Sequence, residues 1–226
     1  MSENLSIKHY GIFLPGGVEI TQTLVSMWIV MGILITFAVI ARCKLRSFKP
    51  VPAGFQNFVE LIVDIFDNFV VSTMGERYSY FANWFFGVFS FILLSNLSGL
   101  IILRPPTADL ACTAALGLST FVLIHFFGIA KNFKEYWKSY FQPLPFLFPL
   151  NVISELAVPV SLSFRLFGAT LGGFILMGLV YNLFPMFLLF GLPAAFHGYF
   201  DVFAGCLQAY IFTILSMTFI RGKLPE

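Results

Sequence analysis

Five apolar runs, each long enough to cross a lipid bilayer, constrain this chain more than any other feature of its 226 residues. A spanning helix needs roughly 20 mostly apolar residues, and in hydrocarbon every backbone N–H and C=O must be satisfied within the segment, as a helix does. The runs are Thr21 to Ala41, about Tyr80 to Leu103, about Asp109 to Ala130, about Leu150 to Phe184, and Pro193 to Ile220. Charged residues make up 11% of the chain and mean hydropathy is +0.88, whereas soluble domains carry about 25% charged residues. The expected fold is an all-α polytopic membrane protein with five membrane helices. No A-x-A cleavage site follows the first run, which therefore reads as an anchor. Cys43, Cys112 and Cys206 lie in or beside apolar runs without C-x-x-C or disulfide spacing, and are expected to be inert buried thiols.

The last two runs are too long for upright spans. A helix of about 35 residues extends ~50 Å, against a ~30 Å hydrocarbon core, so each must tilt strongly or bend. The stretch NLFPMFLLFGLP, residues 182–193, breaks the chain between them. Two long tilted helices joined in a hairpin are the expected C-terminal half. Residues 53–70 differ: Phe55, Phe58, Val59, Ile62, Val63, Phe66 and Phe69 recur at helical spacing, while Glu60, Asp64 and Asp67 fall on another face. That pattern predicts an amphipathic helix along the membrane surface or against a partner. One membrane domain is expected over 1–226, divided into 1–41, 53–70, 80–130 and 150–220, with no internal repeat.

Positive charge fixes the orientation. Arg42, Lys44, Arg46 and Lys49 follow the first run, Lys131, Lys134 and Lys138 the third, and Arg221 and Lys223 the last. A single topology puts all nine on the cytoplasmic side, with the N-terminus outside, the C-terminus inside, and the loop RPPTAD and the turn near Pro185 outside.

Within this apolar background one residue stands out. Arg165 is the sole formally charged residue between Glu155 and Asp201. Its insertion costs roughly 2.5–3.5 kcal/mol unless compensated. Its same-face neighbours include Ser161, Gly168 and Ala169, none acidic, and Glu155 lies about 15 Å along the axis on a straight helix. Three partners are open: a lipid phosphate reached by snorkelling, which the depth of Arg165 argues against; Asp201 on the next helix; or a carboxylate on another chain. Gly168 and Gly172 form a small-xxx-small step, which Ala169 and Gly173 repeat one residue on, and such surfaces admit close approach of another helix.

Further polar residues extend the pattern. His197, Asp201, Gly205 and Gln208 step by helical spacing along one face of the last run, from its outer end toward the level of Arg165. Taken singly, His197 could be an interfacial residue and Gln208 could bond a neighbouring backbone. Together they suggest a polar path from outside. Asn151 and Glu155, four apart at the inner end of the preceding helix, suggest a matching inner path. Two vestibules on opposite sides, separated by a fixed cation, constitute a half-channel arrangement.

At this point the chain resembles a known family, the a subunit of the rotary ATP synthase membrane sector, of bacterial and plastid type. The resemblance runs through FQNFVELI, LLSNLSGLI, RPPTADL, PLNVISELAVPVSLSFRLFG and DVFAGCLQAYIFTIL, in this order and over nearly the whole chain. It implies that Arg165 is the essential stator arginine with Gln208 beside it, that Asp201 occupies an outer-channel position, and that Glu155 is the inner-channel carboxylate. His197 and Asn151 join them as candidate ion-path residues, and Ser161, Gly168, Ala169 and Gly172 as rotor-facing packing. Three positions depart from the family pattern: Ala169 where Asn is usual, Val158 where Lys commonly precedes the proline, and Phe174 at a usually polar or glycine position.

The resemblance further implies a non-catalytic, ion-translocating subunit that couples H+ or Na+ flow to rotation, with synthesis chemistry on other subunits and no cofactor or metal. The implied partners are an oligomeric c ring, peripheral-stalk b subunits, the remaining ATP synthase and the lipid bilayer, with no nucleic acid. The implied location is the bacterial plasma membrane first and the plastid thylakoid second. A self-contained secondary ion transporter is the alternative, but it usually shows repeats or paired broken helices, which this sequence lacks. H-E-x-x-H is absent, and His9, His125 and His197 are too scattered to suggest an enzyme's metal site.

Overall fold

The computed structural model describes residues 9–14, 18–45, 54–101, 104–131, 136, 141, 145–183 and 191–224. Its helices are α1 (Gln22–Leu45), α2 (Phe55–Met74), α3 (Ala82–Leu97), α4 (Leu110–Lys131) and α5 (Phe148–Leu183). The last membrane helix is composite: α6 (Leu192–His197) runs into a π segment (Gly198–Ala204) and then α7 (Gly205–Arg221). Among the described residues, five helices are long and apolar enough to cross a membrane. They follow the five apolar runs closely. Arg46, Lys49, Lys134, Lys138 and the turn near Pro185 lie outside the described residues.

One element was not foreseen. A small antiparallel hairpin, β1 (His9–Leu14) with β2 (Val18–Thr21), precedes α1, with His9 opposite Thr21 and Leu14 opposite Val18.

The amphipathic segment forms α2, which ends at Gly75, where φ is 94°, a backbone setting that favours glycine. Phe66, Val70 and Met74 are buried, whereas Phe58 and Val63 stay exposed. The apolar stripe is thus half used within the chain and half left for lipid or a partner.

Two clusters form the core. Toward the α2 end, Phe66, Val70, Met74, Phe81 and Phe85 meet Ile124, Met217, Ile220 and Leu224. Nearer the middle, Val30, Phe91 and Ile92 meet Leu162, Leu166, Ala209 and Phe212. Many other large apolar side chains, Trp28, Ile35, Val122, Phe126 and Ile153 among them, point outward. Outward apolar side chains are what a lipid solvent permits, and the same inversion corrects one expectation: Cys43 and Cys206 are exposed and Cys112 only half-buried, so these are not buried thiols.

Because lipid is as apolar as the core, small and hydroxylated residues fix the helix contacts. α5 lies mainly along α4. A Cβ at Gly117 would stand 2.8 Å from the Pro159 carbonyl oxygen, so only glycine lets these backbones come so close. The Ser163 hydroxyl donates to that same carbonyl at 2.6 Å. The last helix lies mainly along α3, and Thr120 and Ser216 share a 3.3 Å hydrogen bond between α4 and α7. The C-terminal hairpin closes where Gly173 of α5 meets Phe200. At 36 residues, α5 is ~54 Å long and must incline to fit a ~30 Å core.

Candidate functional site

Arg165 lies near the middle of α5, on a stripe that the rest of the chain leaves uncovered. Ser161, Phe164, Arg165, Gly168 and Ala169 are all exposed, and a Cβ added at Gly168 or Gly172 would meet nothing within 4 Å. The small-xxx-small step at 168/172 therefore faces outward, whereas Gly173 packs inside the hairpin. Among the described residues Arg165 makes no hydrogen bond or ion pair, and Asp201 bonds to His197 instead. A guanidinium stays charged in protein, so an uncovered one at mid-helix needs a counter-charge from outside the described residues.

A polar cluster stands behind this stripe toward one end. The imidazole of His197 donates from Nδ1 to the Asp201 carboxylate, which accepts only. Nε2 shares a 2.9 Å hydrogen bond with the Tyr181 hydroxyl, which orients the ring. The Asp201 carboxylate rests against Gly99, where a Cβ would lie 3.0 Å from it. A cavity of about 20 Å³, room for roughly one water, is lined by Asn96, Thr170, Asp201, Gly205, Gln208 and Ala169. Gln208 is buried, and among the described residues its Nε2 finds no acceptor. Its donor is thus available to a group arriving at the Arg165 level.

Asn96 is the residue that sequence reasoning missed. Its Nδ2 donates to the Gly205 carbonyl at 3.1 Å, and its Oδ1 accepts from Thr107 at 2.7 Å and Thr170 at 3.5 Å. It thereby ties α3, α5, α7 and the loop after α3 into one junction. Gly205 makes room for it, since a Cβ there would lie 2.9 Å from that of Asn96. The available signal was an asparagine inside an apolar span, where an amide is costly unless fully bonded.

Toward the other end, Glu155 is held by Lys223, whose Nζ stands 2.9 Å from Oε1 and 3.2 Å from Oε2. Pro159 lies one turn on in α5 and has no N–H for the Glu155 carbonyl, so one backbone hydrogen bond is missing at the turn that carries the carboxylate. Asn151 is half-buried one turn before. The structure therefore brings His197, Asp201 and Gln208 together in one cluster, places Glu155 and Asn151 near the opposite end, and leaves Arg165 between them.

The three departures each have a place. Ala169 lines the small cavity, Phe174 lies under the Arg104 guanidinium at 5.5 Å, and Val158 packs against both core clusters.

Comparison with known proteins gives the family. The family described as "ATP synthase A chain" matches residues 24–221. The chain belongs to that family. ATP synthase subunit a of Moorella thermoacetica is 38% identical over 96% of this chain and 96% of its own length. The chloroplastic subunit a of Oedogonium cardiacum is 35% identical over 91% of this chain and 83% of its own. A subunit a from Propionigenium modestum, described as sodium ion specific, is 31% identical over 93% and 76%. This member of the ATP synthase A chain family thus has similar relatives in bacteria and in plastids.

Proposed function

We propose that this chain is the stator ion-channel subunit of a rotary ATP synthase, with Arg165 as the fixed cation between two offset half-channels. One observation carries the reading: an uncovered arginine at the middle of a membrane helix, on a small-residue stripe, between a polar cluster toward one end and the Glu155–Lys223 pair toward the other. The partner supplying the counter-charge is a c ring with one carboxylate per rotor helix. Peripheral-stalk b subunits are the further partner, and the exposed half of the α2 stripe suits such a contact.

The physical cycle follows from the cost of burying charge. An ionised carboxylate in hydrocarbon is expensive unless paired. Each rotor carboxylate gives up its cation to one half-channel, passes Arg165 as an anion, and reloads from the other. Tyr181, His197, Asp201 and Gln208 provide the outer path, and Glu155 with Asn151 the inner one. Arg165 also repels free cations, so the two paths do not short-circuit. A membrane potential contributes ~2.3 kcal/mol per charge per 100 mV, and rotation is how that free energy is taken up. The coupling ion is H+ or Na+.

The location is a bacterial plasma membrane, with the N-terminus outside and the C-terminus cytoplasmic. The structure supports this sidedness by gathering Arg42, Lys44, Arg221 and Lys223 at the end where α2 packs: Lys44 lies over the Phe55 ring, and Arg221 donates to the Thr73 carbonyl.

The test is Arg165→Ala in the assembled complex. Ion-driven synthesis should fall to background while the amount of complex in the membrane is retained. Synthesis near the normal rate would refute the role of Arg165.

A further inference from the structure

The C-terminal tail does not trail away from α7. Beyond Arg221 the amides of Gly222, Lys223 and Leu224 donate to the carbonyls of Thr218, Ile220 and Arg221, each at 3.0 Å, and hold the chain in a further turn. Leu224 is buried in the same cluster as Val70, Met74 and Ile220, which pins the turn to the protein. Arg221 bonds the Thr73 carbonyl and so ties the tail's start to α2.

The consequence is a placed ammonium. Lys223 reaches both oxygens of Glu155, 68 residues away in sequence, and its Nζ also stands 5.5 Å from the ring of buried Tyr136. Ion pairs of freely exposed lysines contribute little, largely because two long side chains must be ordered to make them. Here the backbone turn and the Leu224 anchor have done much of that ordering. The side chains are 28% and 16% exposed, so the pair is sheltered but still open to water.

We infer that the tail is part of the inner half-channel and that Lys223 is a positioning residue, holding the Glu155 carboxylate in the ion's path while no ion is there. This rests on the reading of Glu155 as an inner-path residue. A cation crossing the mouth replaces the ammonium on a carboxylate oxygen, and the ammonium returns when the cation leaves. Only the counter-charge on Glu155 alternates. In this way a sheltered carboxylate is never left without a cation, and the site resets between ions.

The experiment is a double-mutant cycle on the whole complex in inverted membrane vesicles, measuring ATP-driven ion pumping per assembled complex. Lys223→Gln should slow pumping by about threefold or more, within the coupling range of residues in direct contact. Lys223→Arg should restore at least half the rate. In a Glu155→Gln background, Lys223→Gln should cause no further loss. Equal losses in both backgrounds, or a Lys223→Gln rate like the unmodified protein's beside a slowed Glu155→Gln, would overturn the inference and leave the inner-path reading standing. A normal rate for Glu155→Gln itself would overturn both, and identifies the inner-path reading as the point of failure. Should Lys223→Gln reduce assembly, cysteines at 155 and 223 joined by a short bifunctional thiol reagent in native membranes decide the placement. A bridge supports the tail's position at the mouth, and its absence overturns it.

Discussion

Substituting Gly117 by alanine tests whether the arginine helix is held where the rotor can meet it. The new Cβ would lie 2.8 Å from the Pro159 carbonyl oxygen. Carbon and carbonyl oxygen rest at about 3.3–3.6 Å, so α4 and α5 must part by roughly 0.5–0.8 Å. The carbonyl belongs to the backbone and cannot swing aside, which makes this an overpacking change costing about 1–3 kcal/mol. The displacement pushes α5 away from α4 and moves Arg165, two turns at most from the contact. Where function depends on sub-ångström placement, a shift of this size costs on the order of tenfold in rate. The assay is ion-driven ATP synthesis in membrane vesicles, normalised to assembled complex. Ser163→Ala removes a hydroxyl bonded only to its own helix at Pro159, and should stay within about twofold of the unmodified rate. Combining it with Gly117→Ala should bring partial relief, because the Ser163 hydroxyl is the atom nearest the new Cβ but the Pro159 carbonyl remains. Full activity of Gly117→Ala would refute the close approach of α4 and α5, and full rescue by Ser163→Ala would refute the claim that backbone sets it.

Other substitutions probe the outer cluster. Asp201→Asn keeps the shape of the site but removes the charge that faces His197, so synthesis should slow several-fold without stopping; a loss as complete as that of Arg165→Ala would contradict its rank as an access residue. Asn96→Ala removes bonds to Gly205, Thr107 and Thr170 together. Interhelical hydrogen bonds in membranes average about 0.6 kcal/mol, so a loss of roughly 1–3 kcal/mol is expected once the buried Thr107 hydroxyl is left without its partner. Thermal dissociation of the detergent-solubilised complex would show it, and an unchanged midpoint would remove Asn96 from its bridging role.

The parts of this fold that were legible in the sequence are those set by solvent. A lipid core demands runs of about 20 apolar residues, and the five spans and the amphipathic α2 follow from that demand alone. Arg165 was legible for the same reason, because a lone cation in such a run has few explanations. Contacts between distant segments were not. The Glu155 pair with Lys223 depends on a tail turn whose residues, Gly222 to Leu224, look like an ordinary C-terminal end. Asn96 was visible as an asparagine in an apolar span, but its three partners come from three different elements. The small residues of α5 divide between two surfaces, since Gly168 and Gly172 face outward whereas Gly173 packs on Phe200. Uniform α periodicity does not hold through the last helix, whose π segment at Gly198–Ala204 shifts the hydrogen bonding to i→i+5 around Asp201. The N-terminal hairpin carried no alternation strong enough to announce it.

The central claim is that the uncovered face of α5 meets a moving carboxylate, and a cross-link tests it most directly. Position 168 has open space for a side chain and shares the Arg165 face, so Gly168→Cys should be tolerated. Paired with a cysteine on the rotor helix beside its carboxylate, in native membranes under mild oxidation, it should form a bond that stops ATP-driven ion pumping, with pumping restored on reduction. A cross-link confined to the chain's own last helix, with pumping intact, would contradict the account.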